Sequence, residues 1–424
     1  MEMVRGRRRV LALVLGSLLM WVFLKSSLWA AEADVVELIN LLKSKNIVTQ
    51  QEADSMLKEV KINSEKERIE IKKDMAESAK KGDFLPSALK GFKVGTTIFG
   101  EWNAKNFDNG GSSNEFVLNR AYLTVTKDIN DWLGLNVTTD IFTSKDADDK
   151  GNGLEIRLKN AYANLNLLGT QTRIGMIPTF SDSYDSAIWP YRVQGKHLLD
   201  ETGVQSSADL GVSNQGTFGG NLDDEEYLKY AGKNFAGKWG GYMAGFYNGS
   251  GYSDSESNDN KVVSGLVYVR PLPSVPVLKG LQLAYTGTYG ESNSAFATGN
   301  TNDNPDWNVN AVQASLQHKM FTIMGQYYWG KGAYKSTEEN DREGYLAEAF
   351  VRIPNVEKLR LFGKYYHFDP DTDKDDNEYE TYIGGLSYDL SKEFMPFVAY
   401  EHRNYETASL SDYDKYQIGF QLKF

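Results

Sequence analysis

The chain has 424 residues, no cysteine and a formal net charge of −11. Hydrophobic residues make up 41% and are not gathered into a series of apolar runs of about 20, which excludes a helical membrane transporter. The missing thiols exclude a disulfide scaffold and a thiolate metal centre, and 12% aromatic residues argue against a disordered chain.

Residues 1–30 have the order of an export signal. Arg5, Arg7, Arg8 and Arg9 precede an apolar stretch from Val10 to Leu24, and small residues follow at Ser26, Ser27, Ala30, Ala31 and Ala33. About 15 apolar residues are short for a span, so cleavage is expected between Ala30 and Ala33. The segment carries five basic side chains against Glu2, so its removal takes the net charge to −15. A polyanion repels phosphates at long range, so nucleic acid is not an expected partner. Export without cysteine suits a Gram-negative envelope, where wrong disulfides then cannot form.

Residues 31–83 are charged and carry helical spacing. Val35, Leu38, Ile39 and Leu42 lie at i, i+3, i+4 and i+7. Thr49-Gln50-Gln51-Glu52 reads as a capping box that opens a second helix. Ile62, Ile69 and Ala76 recur every seven residues, a stripe too short for a sustained coiled coil. The segment is expected to be a solvated helical, coiled-coil-like element in the periplasm, with a periplasmic partner as an option.

Within residues 84–424 the period changes to two, from Phe92 onward. Leu133, Leu135, Val137, Thr139 and Ile141 alternate with Gly134, Asn136, Thr138 and Asp140, and Leu359, Leu361 and Gly363 alternate with Arg360 and Lys364. Each such stretch runs about ten residues, the length that crosses a bilayer as a tilted strand. Short turns at 127–131, Gly169-Thr170 and His318-Lys319 alternate with polar loops at 108–114, 144–153, 253–260, 292–306, 335–342 and 369–377. Fifteen strands can be counted. Ends on one side require an even number, which places a sixteenth in 207–236, as Ala208–Phe218 or Tyr227–Phe235. The expected fold is all-β: a transmembrane antiparallel β-barrel of about 16 strands behind a short helical segment. The face opposite the apolar one is rich in Arg, Lys, Glu, Asp, Asn, Gln and Gly, which suits a wet lumen better than a sandwich interior. Trp102, Trp132, Trp307, Trp329, Tyr365, Tyr388 and Tyr405 stand near strand ends, where interfacial girdles are expected.

Inward wall candidates are Arg120, Arg157, Lys159, Arg173, Arg352, Arg360, Lys364 and Arg403, with Asp140, Glu155, Glu348, Asp389 and Glu401 facing them. Facing rows of opposite charge would set a transverse field that favours small polar solutes. Alternatively the groups pair with one another and merely solvate the wall. Asp369, Asp371, Asp373 and Glu380 occupy the first, third, fifth and twelfth positions of a calcium-loop register, but Lys374 replaces the required Gly and strands flank the loop. An EF-hand is therefore rejected. What survives is a loosely held Ca²⁺ or Mg²⁺ on an outer loop, bridging lipopolysaccharide, or a solvated acidic loop; Asp146, Asp148 and Asp149 invite the same reading. No G-x-S-x-G, H-E-x-x-H or P-loop occurs, so no catalysis and no other cofactor is expected.

The last strand alternates cleanly: Tyr416, Ile418, Phe420, Leu422 and Phe424 against Lys415, Gln417, Gly419, Gln421 and Lys423. Its terminal aromatic resembles the C-terminal signal of outer-membrane porins, which the barrel-assembly machinery reads. Asn119-Arg120-Ala121-Tyr122-Leu123, Asp131-Trp132, Thr139-Asp140, Asn160-Ala161-Tyr162-Ala163-Asn164, Thr172-Arg173-Ile174-Gly175-Met176-Ile177-Pro178 and Tyr247-Asn248-Gly249-Ser250-Gly251 resemble the phosphate-selective porin O and P family, across roughly 92–424. That resemblance implies a homotrimer among outer-membrane lipids and lipopolysaccharide, with a constriction loop at Ser181–Ser207. The loop holds Arg192, Lys196 and His197 beside Asp182, Asp185, Asp200 and Glu201, a mixture without clear anion bias. The expected function is a passive outer-membrane porin for small polar or charged solutes, anions such as phosphate among them. The alternative is a structural anchor, or a scaffold or sheath for a periplasmic or electron-transfer partner, whose redox cofactor would be the partner's because no haem-attachment motif occurs.

Overall fold

The computed structural model describes residues 36, 39–45, 48–80, 91–143, 153–297 and 303–424. The export signal, Val35 and Leu38, and the acidic trio Asp146, Asp148 and Asp149 lie outside them. The chain divides into two units between Lys90 and Gly91.

In the first unit, helix α1 spans Gln50–Lys80. The Thr49 amide donates to Glu52 Oε2 at 2.8 Å, and the Glu52 amide donates to Thr49 Oγ1 at 3.3 Å, a reciprocal capping box. Bonds from the Thr49 amide and hydroxyl hold the Glu52 carboxyl below the usual carboxylate range. Ile39 and Ala53 are buried, while Ile62 and Ile69 are exposed.

The second unit is built of strands β1 Phe92–Phe107, β2 Ser112–Asp128, β3 Leu133–Thr143, β4 Leu154–Leu167, β5 Thr170–Pro178, β6 Ala208–Phe218, β7 Gly240–Tyr247 and β8 Val262–Val269. They continue with β9 Leu281–Glu291, β10 Asp306–Gln317, β11 Phe321–Lys331, β12 Asp341–Ile353, β13 Val356–Asp369, β14 Tyr379–Tyr388, β15 Phe394–Tyr405 and β16 Tyr413–Lys423. Each pairs with the next, and β16 pairs antiparallel with β1, so the sheet is a closed 16-strand barrel. The seam reaches the last residue: the Thr96 amide donates to the Phe424 carbonyl at 2.8 Å, and the Phe424 amide donates to the Thr96 carbonyl at 3.0 Å. Closure leaves no edge with unpaired backbone groups.

The strand period turns Val351, Leu361, Leu386, Val398 and Ile418 outward, all at least 40% exposed. An apolar outer band of this kind suits lipid. Trp102, Trp132, Trp329, Tyr365 and Tyr388 also lie on the outer side. Trp307 and Tyr405 do not. Trp307 is in phase with buried Val309 and Ala311, and Tyr405 with Arg403, so both leave the expected girdle and face the lumen.

At the end of the barrel that carries both its termini, most connections are short: 129–132, 168–169, 318–320, 354–355 and 389–393. Two are not, 219–239 and 270–280. The sixteenth strand is Ala208–Phe218, and part of the rival stretch is helical. Asp224 accepts the Tyr227 amide at 2.8 Å as N-cap of that helix, and Gly232 ends it. At the opposite end, the first loop is only 108–111, because β2 begins at Ser112.

Val398→Arg, placing a charge near mid-strand on the lipid face, is expected to lower stability by roughly 2–4 kcal/mol in urea titrations of vesicle-refolded protein. An unchanged midpoint would contradict this facing.

Candidate constriction site

The inner wall differs from one side of the barrel to the other. Over β7–β15 it carries a buried apolar set that includes Leu266, Tyr268, Tyr328, Leu346, Phe350 and Phe362. The connection 179–207 folds inward against it. That connection contains helices α2 Phe180–Ile188 and α3 Leu198–Glu201 and buries Phe180, Tyr184, Trp189, Tyr191, Leu198 and Leu199. Tyr191 stacks on Phe362 with centroids 4.2 Å apart, and its hydroxyl lies 2.8 Å from Ser387 Oγ. Trp189 lies 5.1 Å from Tyr191 and 6.3 Å from Phe350. The polar inner face expected from the alternation is therefore not found on this side. On this side the loop, rather than water, covers the inner face.

The other arc, β16 and β1–β6, is polar, with Glu101, Asn103, Asp140, Arg157, Lys159 and Ser213 turned inward. A cavity of about 440 Å³ lies against it, lined in part by Glu101, Lys105, Arg120, Phe142, Arg157 and Lys415. Asp140 is fully buried, and its Oδ2 accepts from Arg120 Nη1 at 2.9 Å and from Arg157 Nε and Nη2 at 3.0 and 2.9 Å. One carboxylate thus holds two guanidinium groups. The β3–β4 register slips at Thr138/Thr139, which makes Lys159 the extra residue of a bulge. Its Nζ donates to Ser207 Oγ at 2.9 Å and stands 5.2 Å from the rings of both Tyr122 and Tyr252.

The loop adds its own charges. Arg192 pairs with Asp182 and, at 3.2 Å, with Asp200, whose other oxygen lies 3.2 Å from Lys196 Nζ. Burial alone would raise the Asp200 carboxyl, but Lys196 and Arg192 outweigh it and hold it below the usual range. Burial, then Arg192 and Lys364, hold the His197 imidazole well below its ordinary value, so it is neutral; its Nε2 lies 3.0 Å from Ser186 Oγ. Burial, then Asp182, push the Asp185 carboxyl up to about 7.

The remaining candidates fall elsewhere in the lumen. Glu348 and Lys364 are buried beneath the loop, with Lys364 Nζ donating to the Lys196 carbonyl at 2.5 Å. Glu401 accepts from Tyr413 Oη at 2.8 Å and Gln194 Nε2 at 3.3 Å, and Arg403 lies 3.4 Å from Glu201. Lys415 sits between Glu101 and Glu401, at 3.6 and 3.9 Å. Arg352 and Arg360 share Asp389 near the terminal end. Arg173 donates to Gln171 Oε1 at 2.7 and 3.1 Å and has no carboxylate partner among the described residues. These charges pair mostly with a neighbouring strand or with the loop, as expected where adjacent strands are about 4.8 Å apart.

The four acidic residues of the calcium-like register do not converge. Asp369 Oδ1 accepts the Asp371 amide at 2.9 Å, and Asp371 pairs with Lys374 at 2.6 Å. The start of β14 at Tyr379 turns Glu380 to the outer face, where it accepts from Tyr365 and Tyr382 hydroxyls at 2.7 Å each. No group of three potential metal ligands forms among the described residues. Sequence reasoning missed Glu101, Tyr122 and Tyr252 at the site. Glu101 was readable from its phase opposite Trp102; Tyr252, on a loop, offered no signal.

No family model matches the chain, and no curated protein does. Solved structures do. The anion-selective porin from Comamonas acidovorans aligns with a TM-score of 0.56 at 13% identity, covering 78% of this chain and 99% of that one. OprB of Pseudomonas putida gives 0.55 at 9%, covering 80% and 96%. OmpF of Salmonella typhi gives 0.54 at 11%, covering 78% and 97%. The fold is that of an outer-membrane porin. Within this porin fold the infolded loop is held by an apolar core and narrows the lumen from one side.

Trp189→Ala removes buried aromatic packing worth about 3–5 kcal/mol. The barrel should still form, as heat-modifiable migration would show, but loop 179–207 should become protease-sensitive; a resistant loop would contradict the docking. The loop should also respond to pH. A carboxyl raised by folding contributes full stability below about pH 4 and loses it as pH rises through about 7. Docking measured by limited proteolysis should weaken over that window, and Asp185→Asn should flatten the profile.

Proposed function

We propose that the chain is a porin of a Gram-negative outer membrane that passes small solutes passively, through a water-lined passage between loop 179–207 and the polar arc of β16 and β1–β6, and that it favours anions. One observation carries the reading. At the narrowing, Arg120, Arg157, Lys159, Arg192, Lys196 and Lys415 stand against Glu101, Asp140, Asp182 and Asp200, an excess of fixed positive charge. Fixed charge in a low-dielectric cleft concentrates the opposite ion. Arg173 extends the cationic surface further along β5. Phosphate-sized anions agree with the family resemblance and with these guanidinium and ammonium donors.

Homotrimer formation is part of the proposal. An apolar groove on the outer side of β16, β1 and β2, lined by Trp102, Phe116, Leu118, Ile418 and Phe420, supports it, with Phe116 87% exposed. Recognition of the last strand by the assembly machinery, contact with lipopolysaccharide and a periplasmic partner for α1 belong to the same reading. The apolar core that fills the β7–β15 side leaves little space for a protein inside the barrel, which speaks against a sheath. No catalysis is proposed.

Reversal potential of single channels under a KCl gradient tests the selectivity. The wild-type value should fall on the chloride side, and Arg157→Glu combined with Lys159→Glu should move it toward potassium. A wild-type value on the potassium side would overturn the anion reading.

A further inference from the structure

The connection 219–239 is too long for a barrel turn, and it is folded. Helix α4, Glu225–Ala231, is followed by a stretch whose Phe235 packs against the buried rings of Tyr184 and Tyr268. Arg270, just after β8 and 1% exposed, holds it. Its Nε donates to the Gly237 carbonyl at 3.1 Å, Nη2 to the Phe235 carbonyl at 3.2 Å, and Nη1 to Tyr227 Oη at 3.1 Å and the Lys279 carbonyl at 2.5 Å. Gln282 Nε2 donates to the Phe235 carbonyl at 3.3 Å, and the Gly237 amide donates to Tyr268 Oη at 3.2 Å. A buried guanidinium whose donors meet fixed carbonyls is a rigid clamp.

What the clamp presents is Phe235. Its φ is +55°, a conformation aromatic side chains rarely adopt and that surrounding contacts must enforce. The ring meets Tyr184 edge-on, centroids 4.9 Å apart, and Tyr268 at 5.7 Å. Tyr184 belongs to α2 of the constriction loop, which enters from the opposite end of the barrel. Its hydroxyl donates to Gln282 Oε1 at 2.7 Å, so the wall, the loop and the 219–239 segment meet at one point. Two residues before Tyr184 on the same helix, Asp182 pairs with Arg192 at the narrowing.

We propose that the 219–239 segment is a brace that sets the constriction from the periplasmic side, with Phe235 and Arg270 as positioning residues that act through Tyr184 on Asp182 and Arg192. This rests on the channel reading. Without the ring, α2 loses its lower support and the Asp182–Arg192 pair shifts relative to the β2–β4 wall. Ordinary turns at this end would leave the loop held only by the wall.

Two readouts on Phe235→Ala and Phe235→Leu test it. The first is single-channel current. Phe235→Ala should show larger current with flicker between sub-levels, and Phe235→Leu should largely restore the parent trace. The second does not need conduction. Because the chain has no cysteine, a buried Ser181→Cys supplies one thiol on α2. A water-soluble thiol reagent should label it about tenfold faster when Phe235→Ala is added, as expected when local opening becomes easier. Heat-modifiable migration checks that each barrel has formed. Faster labelling in a parent that conducts nothing would support the brace while sinking the channel reading. Unchanged labelling and unchanged current in a folded Phe235→Ala barrel would overturn the brace.

Discussion

A backbone that crosses lipid has no water to bond, so each amide and carbonyl must find its partner within the sheet. Everything else in the second unit follows from meeting that constraint. The sixteen strands have no edge because β16 returns to β1, down to the bonds between Thr96 and Phe424. With the outer face given to lipid, the inner face is the one place left to build a site. Its width exceeds what wall side chains can fill, so a loop must do the narrowing.

The loop narrows by burial, not by charge alone. Trp189, Tyr191, Phe350 and Phe362 make an apolar core inside a barrel whose outside is also apolar. While Glu348 and Lys364 stay buried beneath the loop, the charged groups that line the cavity lie on the other arc. There, low dielectric and pairing act together. Asp140 sits between Arg120 and Arg157, so the two guanidinium groups hold positions that mutual repulsion would otherwise disperse. The result is a pair of guanidinium groups held in fixed orientation beside the cavity, which freely moving lysines would not provide. The 219–239 segment completes the arrangement by supporting the same loop from the far end.

Much of the fold was legible because its period is the period of a strand. Alternation around Leu133–Ile141 and Tyr416–Phe424 marks strands and their outward faces directly. The capping box at Thr49–Glu52 was equally readable, since it is local. The site was legible only in part. Arg120, Asp140 and Arg157 were identifiable as inward groups, yet their sharing of one carboxylate is a matter of register between strands. Lys159 owes its position to a bulge that alternation does not announce. The apolar interior was invisible because its partner comes from residues far away in the chain. A strand covered by lipid on one face and by a loop on the other shows weaker alternation, not a different period. Trp307 and Tyr405 were misplaced for the related reason that proximity to a strand end says nothing about phase.

The central claim is that water occupies one arc of the lumen and a protein core the other. Single cysteines in this cysteine-free chain test it directly, at inward positions on each arc, with a membrane-impermeant thiol reagent and the barrel in lipid vesicles. Asn136→Cys and Asn164→Cys on the polar arc should label rapidly, while Ala311→Cys and Ser315→Cys under the loop should stay protected. Equal labelling at all four positions would contradict an off-centre passage and the docked loop that creates it.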